Sequence, residues 1–182
     1  MNMIPNAGDS GLWEKAVEFH GHICPGLTIG YKAALYAREL LGLDFSVDEE
    51  LVCVTENDAC GVDAISVILG CSAGKGNLLF RLRGKQAYSF FNRKTGKSIR
   101  LVMRDVARDG KSRDEVQKEM MAAPYSEMFD VKTPSFNLPE NARIFKSIEC
   151  ERCGEKTAEN YLRFEDGKKV CLDCFSPYSR FM

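Results

Sequence analysis

The sequence predicts an α+β fold: a sheet of about four strands packed with helices, followed by a small C-terminal module of zinc-ribbon or treble-clef type. Three observations predict it. Apolar residues recur at helical spacing across residues 11–41. Short apolar, β-prone runs follow at 51–56, 78–83, 86–92 and 97–103. Two Cys-x-x-Cys pairs then lie near the end, at Cys150/Cys153 and Cys171/Cys174. Pro134, Pro139 and two asparagines between 133 and 142 mark an extended connector. This divides the chain into a core of residues 1–142 and a module of residues 143–182.

Composition sets the bounds. A chain of 182 residues can hold one good core and a small appendage. It is 45% apolar and 28% charged, as soluble globular proteins are. A net charge of −1 argues against broad electrostatic attraction to nucleic acid or anionic lipid. No run reaches the ~18 apolar residues of a membrane span. Residues 1–10 lack the basic stretch and apolar segment of a signal peptide. A cytoplasmic location is therefore expected, where thiols are normally reduced. The eight cysteines read there as metal ligands, reactive thiols or core residues before they read as disulfides.

The first helix is expected over 11–22, capped by Asp9 or Ser10. Trp13, Ala16, Val17 and His20 share one face of it. Pro25 suits the first turn of a second helix, 25–41, because its missing N–H needs no partner there; Gly42 ends it. Between them lies His20-Gly21-His22-Ile23-Cys24-Pro25-Gly26, which holds both histidines of the protein. His20 and Cys24, four apart, fall on one side whether the segment is helical or extended. His22 joins them only if the chain turns, and Gly21 makes that turn cheap. The bland alternative is a core histidine bonded to a backbone carbonyl.

Residues 51–56 read as a buried strand, with Cys53 a small core residue. After the loop at Asn57 and Asp58, Cys60 opens a third helix running to about residue 70. Cys24 and Cys60 thus repeat one device, a thiol at the start of a helix, where the dipole and free N–H groups favour the thiolate. Asp58 and Asp63 are nearby carboxylates that helix capping also explains. Cys71 is left out of the site, because eleven helical residues at ~1.5 Å place it roughly 16 Å from Cys60. The Gly70–Gly76 loop fails as a phosphate loop: its spacing is one residue short, Gly76 follows the lysine, and it leaves a helix rather than a strand. A looser anion nest remains an option there.

Asn92 to Lys97 is a turn between two strands that should pair as a hairpin. Ile99, Leu101 and Met103 line one face of the second. Ser112-Arg113-Asp114-Glu115 is a capping box that opens a fourth helix, with Val116 and Met120 on one face. Met121 and Met128 read as core filler or as a dimer contact.

In the C-terminal module, Cys150-x2-Cys153-x17-Cys171-x2-Cys174 has the spacing of a four-cysteine zinc site. All four positions are filled by protein, so this zinc is structural. Glu165-Asp166-Gly167 makes a hairpin turn between the pairs. A segment of about forty residues cannot build a core alone, so the metal supplies much of its folding free energy. The module carries eight Lys or Arg against seven Asp or Glu, which gives no basic footprint for nucleic acid.

With these motifs placed, the chain resembles the FmdE family, named after a component of formylmethanofuran dehydrogenase. The residues that carry the resemblance are Phe19 to Leu27, Asp58 to Asp63 and Phe91 to Lys97, spread over about residues 12–104. The resemblance implies an α+β core, a tight homodimer and a metal-capable pocket at the His/Cys motif. It also implies a link to a molybdenum or tungsten enzyme of one-carbon metabolism. The metal ligands expected in the core are His20, His22, Cys24 and Cys60, a set that suits zinc, or iron in a reduced cytosol. With one position open to water, such a site does Lewis-acid or redox chemistry. A separate reading makes Cys24 the nucleophile of a thiol enzyme, or Cys24 and Cys60 a redox pair, so these two are the candidate catalytic residues. The competing reading is a non-catalytic accessory subunit that docks on a larger metalloenzyme through the zinc module.

Overall fold

The computed structural model describes residues 11–105 and 110–180. The expected cap at Asp9 or Ser10 lies outside them. Contacts divide the chain into two units, Met1–Ala142 and Arg143–Met182.

The first unit begins with α1 (Leu12–His20), which stops two residues before the expected end because Gly21 takes a left-handed conformation and caps it. Only Ala16 of this helix is fully buried, while Trp13 meets Tyr31 edge-on, with ring centroids 5.1 Å apart. Next comes α2 (Pro25–Leu41), with proline at its start and left-handed Gly42 at its end. It is the central helix: eleven of its residues are buried, and it packs most extensively on α3 (Gly61–Leu69).

The sheet has five strands rather than about four. They are β1 (Leu51–Thr55), β2 (Leu78–Phe80), β3 (Ala87–Asn92), β4 (Ser98–Met103) and β5 (Phe129–Lys132), in the order β2-β1-β3-β4-β5. The β1–β2 pair is parallel and the others are antiparallel. A parallel pair needs a crossover, and α3 supplies it. The fifth strand follows α4 (Arg113–Ala122) and the single turn α5 (Tyr125–Met128). The helices cover one face of the sheet, where Ile99, Leu101, Met103, Phe90 and Tyr88 join the main core. On the other face Val52, Val54 and Phe91 pack with Phe136 from the connector. That face also buries an ion pair: Arg100 donates from Nε and Nη2 to the Glu56 carboxylate at 2.6 and 2.9 Å. Met120 and Met128 are used inside this core, and Met121 packs against it.

Two glycines set the approach of α2 to α3. A Cβ added at Gly30 would lie 1.9 Å from the Gly61 carbonyl oxygen. One at Gly61 would meet the Tyr88 hydroxyl at 2.6 Å and the backbone of Gly26 and Gly30 at 3.0 Å. Backbone therefore rests on backbone where the two helices begin. The Gly70–Gly76 loop is structural: Gly70 caps α3, and Lys75 donates to the Ser46 carbonyl at 2.7 Å and sits over the Phe45 ring. Buried Lys32 of α2 closes the far end of α4 by donating to the carbonyls of Met121 and Ala123 at 3.0 and 2.7 Å. Burial lowers its pKa.

The second unit holds two hairpins, β6 (Ser147–Glu149) with β7 (Lys156–Ala158), and β8 (Arg163–Glu165) with β9 (Lys168–Val170). Asp166 and Gly167 both have positive φ in the tight turn of the second. No helix among the described residues is long and apolar enough to cross a membrane.

Candidate metal centres

Three elements meet at the core site: the end of α1, the start of α2 and the start of α3. His20 is the last residue of α1. The left-handed turn at Gly21 brings the chain back, so that the His20 and His22 rings lie 4.5 Å apart at 36°. Cys24 follows as the N-cap of α2, and its sulfur accepts the Leu27 N–H at 3.3 Å. Cys24 Sγ is 3.8 Å from His20 Nε2. One donor atom from each of His20, His22 and Cys24 lies within 4.8 Å of the other two.

Cys60 stands beside this group without joining it at that distance. It is the N-cap of α3, and its sulfur caps no N–H. The Cys60 and Cys24 sulfurs lie 3.5 and 3.8 Å from where a side chain at Gly26 would begin. Gly26 thus leaves open the space that the two thiols border. The helix-end effect expected to favour a thiolate at Cys60 is outweighed: burial raises its pKa, and the adjoining Cys24 sulfur adds to the rise. The other core cysteines lie elsewhere. Cys53 and Cys71 are fully buried, and burial raises both thiols, Cys71 to about 12.

Asp63, which the sequence offered only as a carboxylate that capping could explain, binds His20. Its Oδ2 is 2.7 Å from His20 Nδ1. The side chain of His20 is 10% exposed and that of Asp63 41%. A cleft of about 410 Å³ opens beside the pair, lined by His20, Asp58, Cys60, Asp63 and half-exposed Phe80. The donor set fits a transition metal: two imidazoles and one sulfur, with Cys24 buried and His22 open to solvent.

In the C-terminal module all four cysteine sulfurs lie within 4.8 Å of one another. Cys153 and Cys171 Sγ are 3.9 Å apart. Two sulfurs on one tetrahedral ion at ~2.3 Å should be about 3.8 Å apart, so the set fits zinc. Gly154 is left-handed and donates to the Cys150 carbonyl at 2.8 Å, closing the first knuckle. Backbone N–H groups of Cys153 and Cys171 lower the Cys150 thiol, whereas the neighbouring sulfurs raise Cys174. Arg152 braces the module by donating to the Cys174 carbonyl and the Glu165 carboxylate.

A family model described as "FmdE, Molybdenum formylmethanofuran dehydrogenase operon" matches residues 19–152, about three quarters of the chain. The protein belongs to the FmdE family. A second model, "Prokaryotic dksA/traR C4-type zinc finger", matches residues 143–180 and agrees with the four-sulfur cluster as a structural zinc site. The FmdE-like chain is 30% identical to a "Probable S-adenosyl-L-methionine-binding protein" of Archaeoglobus fulgidus, over 96% of its own length. It spans 55% of that relative. Its fold resembles that of a tungsten formylmethanofuran dehydrogenase FmdE-like protein of Syntrophus aciditrophicus, with a TM-score of 0.64, 20% identity and 88% of each chain covered.

Proposed function

We propose that the core of this FmdE-family protein is a metal-dependent catalytic domain, in which His20, His22 and Cys24 hold a zinc or iron ion and Cys60 lies at hand as a further sulfur donor. The observation that carries this reading is the convergence of three donor atoms within 4.8 Å at the edge of an open cleft. The bound ion would supply Lewis-acid or redox chemistry there. The chain's own part is to hold the imidazoles, to shield Cys24 at the start of α2, and to admit a small molecule between Phe80, Asp58 and Asp63. A phenyl ring beside two carboxylates suits a ligand with a cationic centre. S-adenosyl-L-methionine, for which the A. fulgidus relative is named, is therefore the first ligand to titrate against the loaded core.

The test is metal content. The intact chain should hold about two metal ions, three or four protein donors serving each. His22→Ala and Cys24→Ser should each bring it to about one, with the zinc module unchanged. Retention of both ions in both variants would sink the proposal.

The accessory-subunit reading has one observation in its favour. The zinc module exposes Tyr161, Phe164, Leu172 and Tyr178, with Phe164 at 73% and Tyr178 at 90%. We also propose a homodimer. That proposal rests on the family, because Met128 is spent inside its own core and Met121 packs against that core. Sedimentation at micromolar concentration, alone and with a molybdenum or tungsten enzyme, tests both: a lone monomer that co-sediments with nothing refutes them.

A further inference from the structure

We propose that Asp63 is the positioning residue of the core metal centre: it holds the His20 ring so that Nε2, and not Nδ1, is offered to the ion. This rests on the metal-binding reading above. Asp63 is the third residue of α3, counted from the N-cap Cys60. An acid at that position ordinarily closes a capping box by bonding back to the N-cap N–H. Glu115 does so at the same position of α4, accepting the Ser112 N–H at 2.8 Å while the Ser112 hydroxyl accepts the Glu115 N–H at 3.3 Å. In α3 the N-cap side chain makes no capping bond, and the Asp63 carboxylate instead reaches His20 Nδ1, 43 residues away in sequence, at 2.7 Å.

That bond decides the tautomer. A carboxylate accepts, so Nδ1 carries the hydrogen and donates it, which in the neutral ring leaves the lone pair on Nε2. Nε2 is the nitrogen that lies 3.8 Å from Cys24 Sγ, on the side where the donors converge. A carboxylate behind a ligating imidazole also makes the ring a better donor. Ring orientation, tautomer and basicity are thus set by one residue that itself touches no ion.

The competing role is a simple tie between α1 and α3, and the experiment must separate the two. The full chain, with zinc already in its C-terminal module, is titrated with cobalt(II) and followed by its visible absorption. Asp63→Asn should weaken cobalt binding roughly 10- to 100-fold and change the absorption band, and Asp63→Glu should restore most of the affinity. Wild-type affinity and spectrum in Asp63→Asn would overturn the proposal. So would a lowered melting temperature with unchanged affinity, which is what a mere tie predicts. A wild-type core that takes up no cobalt would instead overturn the metal reading itself, and the assignment with it. If Asp63→Asn fails to fold, ¹⁵N shifts of His20 in the wild-type chain decide: a protonated Nδ1 supports the assignment, and a bare Nδ1 overturns it.

Discussion

In the C-terminal module four sulfurs come from two local knuckles, each three residues apart, and close on one another with no position left open. The core centre draws His20 and His22 from around a turn, Cys24 from the cap of α2, and Cys60 and Asp63 from the start of α3. It borders an open cleft. The first arrangement is made by the metal and the second by packing. A module with so little core folds around its ion, whereas the core site exists because three helix ends are pressed together by the fold. The difference teaches which damage each can bear: one should fail by losing its ion, the other by losing its helix contact.

The largest effect is expected in the module. Cys153→Ser should lose about one zinc and unfold residues 143–182, because structural zinc contributes on the order of 10 kcal/mol in small modules. The core's melting transition should persist. Metal analysis together with amide spectra checks it, and a folded, zinc-loaded variant would erase the contrast.

Next in size is the ion pair on the far face of the sheet. Its two hydrogen bonds to Arg100 hold Glu56 below the usual carboxylate range. A lowered folded pKa means the stabilisation is present above the unfolded value, ~4.3, and is lost as pH falls through the folded value. The core should therefore soften in acid below about pH 4. Arg100→Met should cost roughly 3 kcal/mol at neutral pH by removing both hydrogen bonds to the buried Glu56 carboxylate and leaving it only the weaker attraction of Lys85 and Arg81, and Glu56→Gln should flatten the acid limb. Urea midpoints across pH decide, and an unchanged acid limb in Glu56→Gln would show that this pair does not govern the core's response to acid.

Smaller effects belong to the glycines. Gly30→Ala forces a Cβ onto the Gly61 carbonyl and should cost about 3 kcal/mol. Gly26→Ala meets the Cys60 Cβ at 3.1 Å and should cost only about 1 kcal/mol, yet it should weaken metal binding at the core while the module keeps its zinc. Equal metal affinity in both variants and wild type would mean that helix approach does not set the site.

Much of this was legible in the sequence, and for local reasons. Pro25 and Gly42 bracket α2, Ser112 and Glu115 open α4, and the four cysteines announce their zinc by spacing alone. Each of these signals lies within a few residues. The fifth strand was missed because Phe129–Lys132 is four residues long and abuts a one-turn helix, so no period could build up. The turn at Gly21 was legible as cheap, but the return of His22 onto His20 depends on what surrounds it. Asp63 could not be told from a capping acid, since choosing between Cys60 and His20 requires knowing that α1 ends against α3. A signal did exist: Cys60 is a poor cap, which left Asp63 without a reciprocal partner.

The contact of Gly30 with Gly61 has a consequence for how this centre can change over time. The spacing of its donors is written in main chain, and the identity of the donors in side chains. Replacing an imidazole by a thiol, or a thiol by a carboxylate, leaves the helix crossing untouched. On the proposed metal reading, a lineage can thus exchange one ion for another without rebuilding the scaffold, provided that it never adds a methyl group at these two positions.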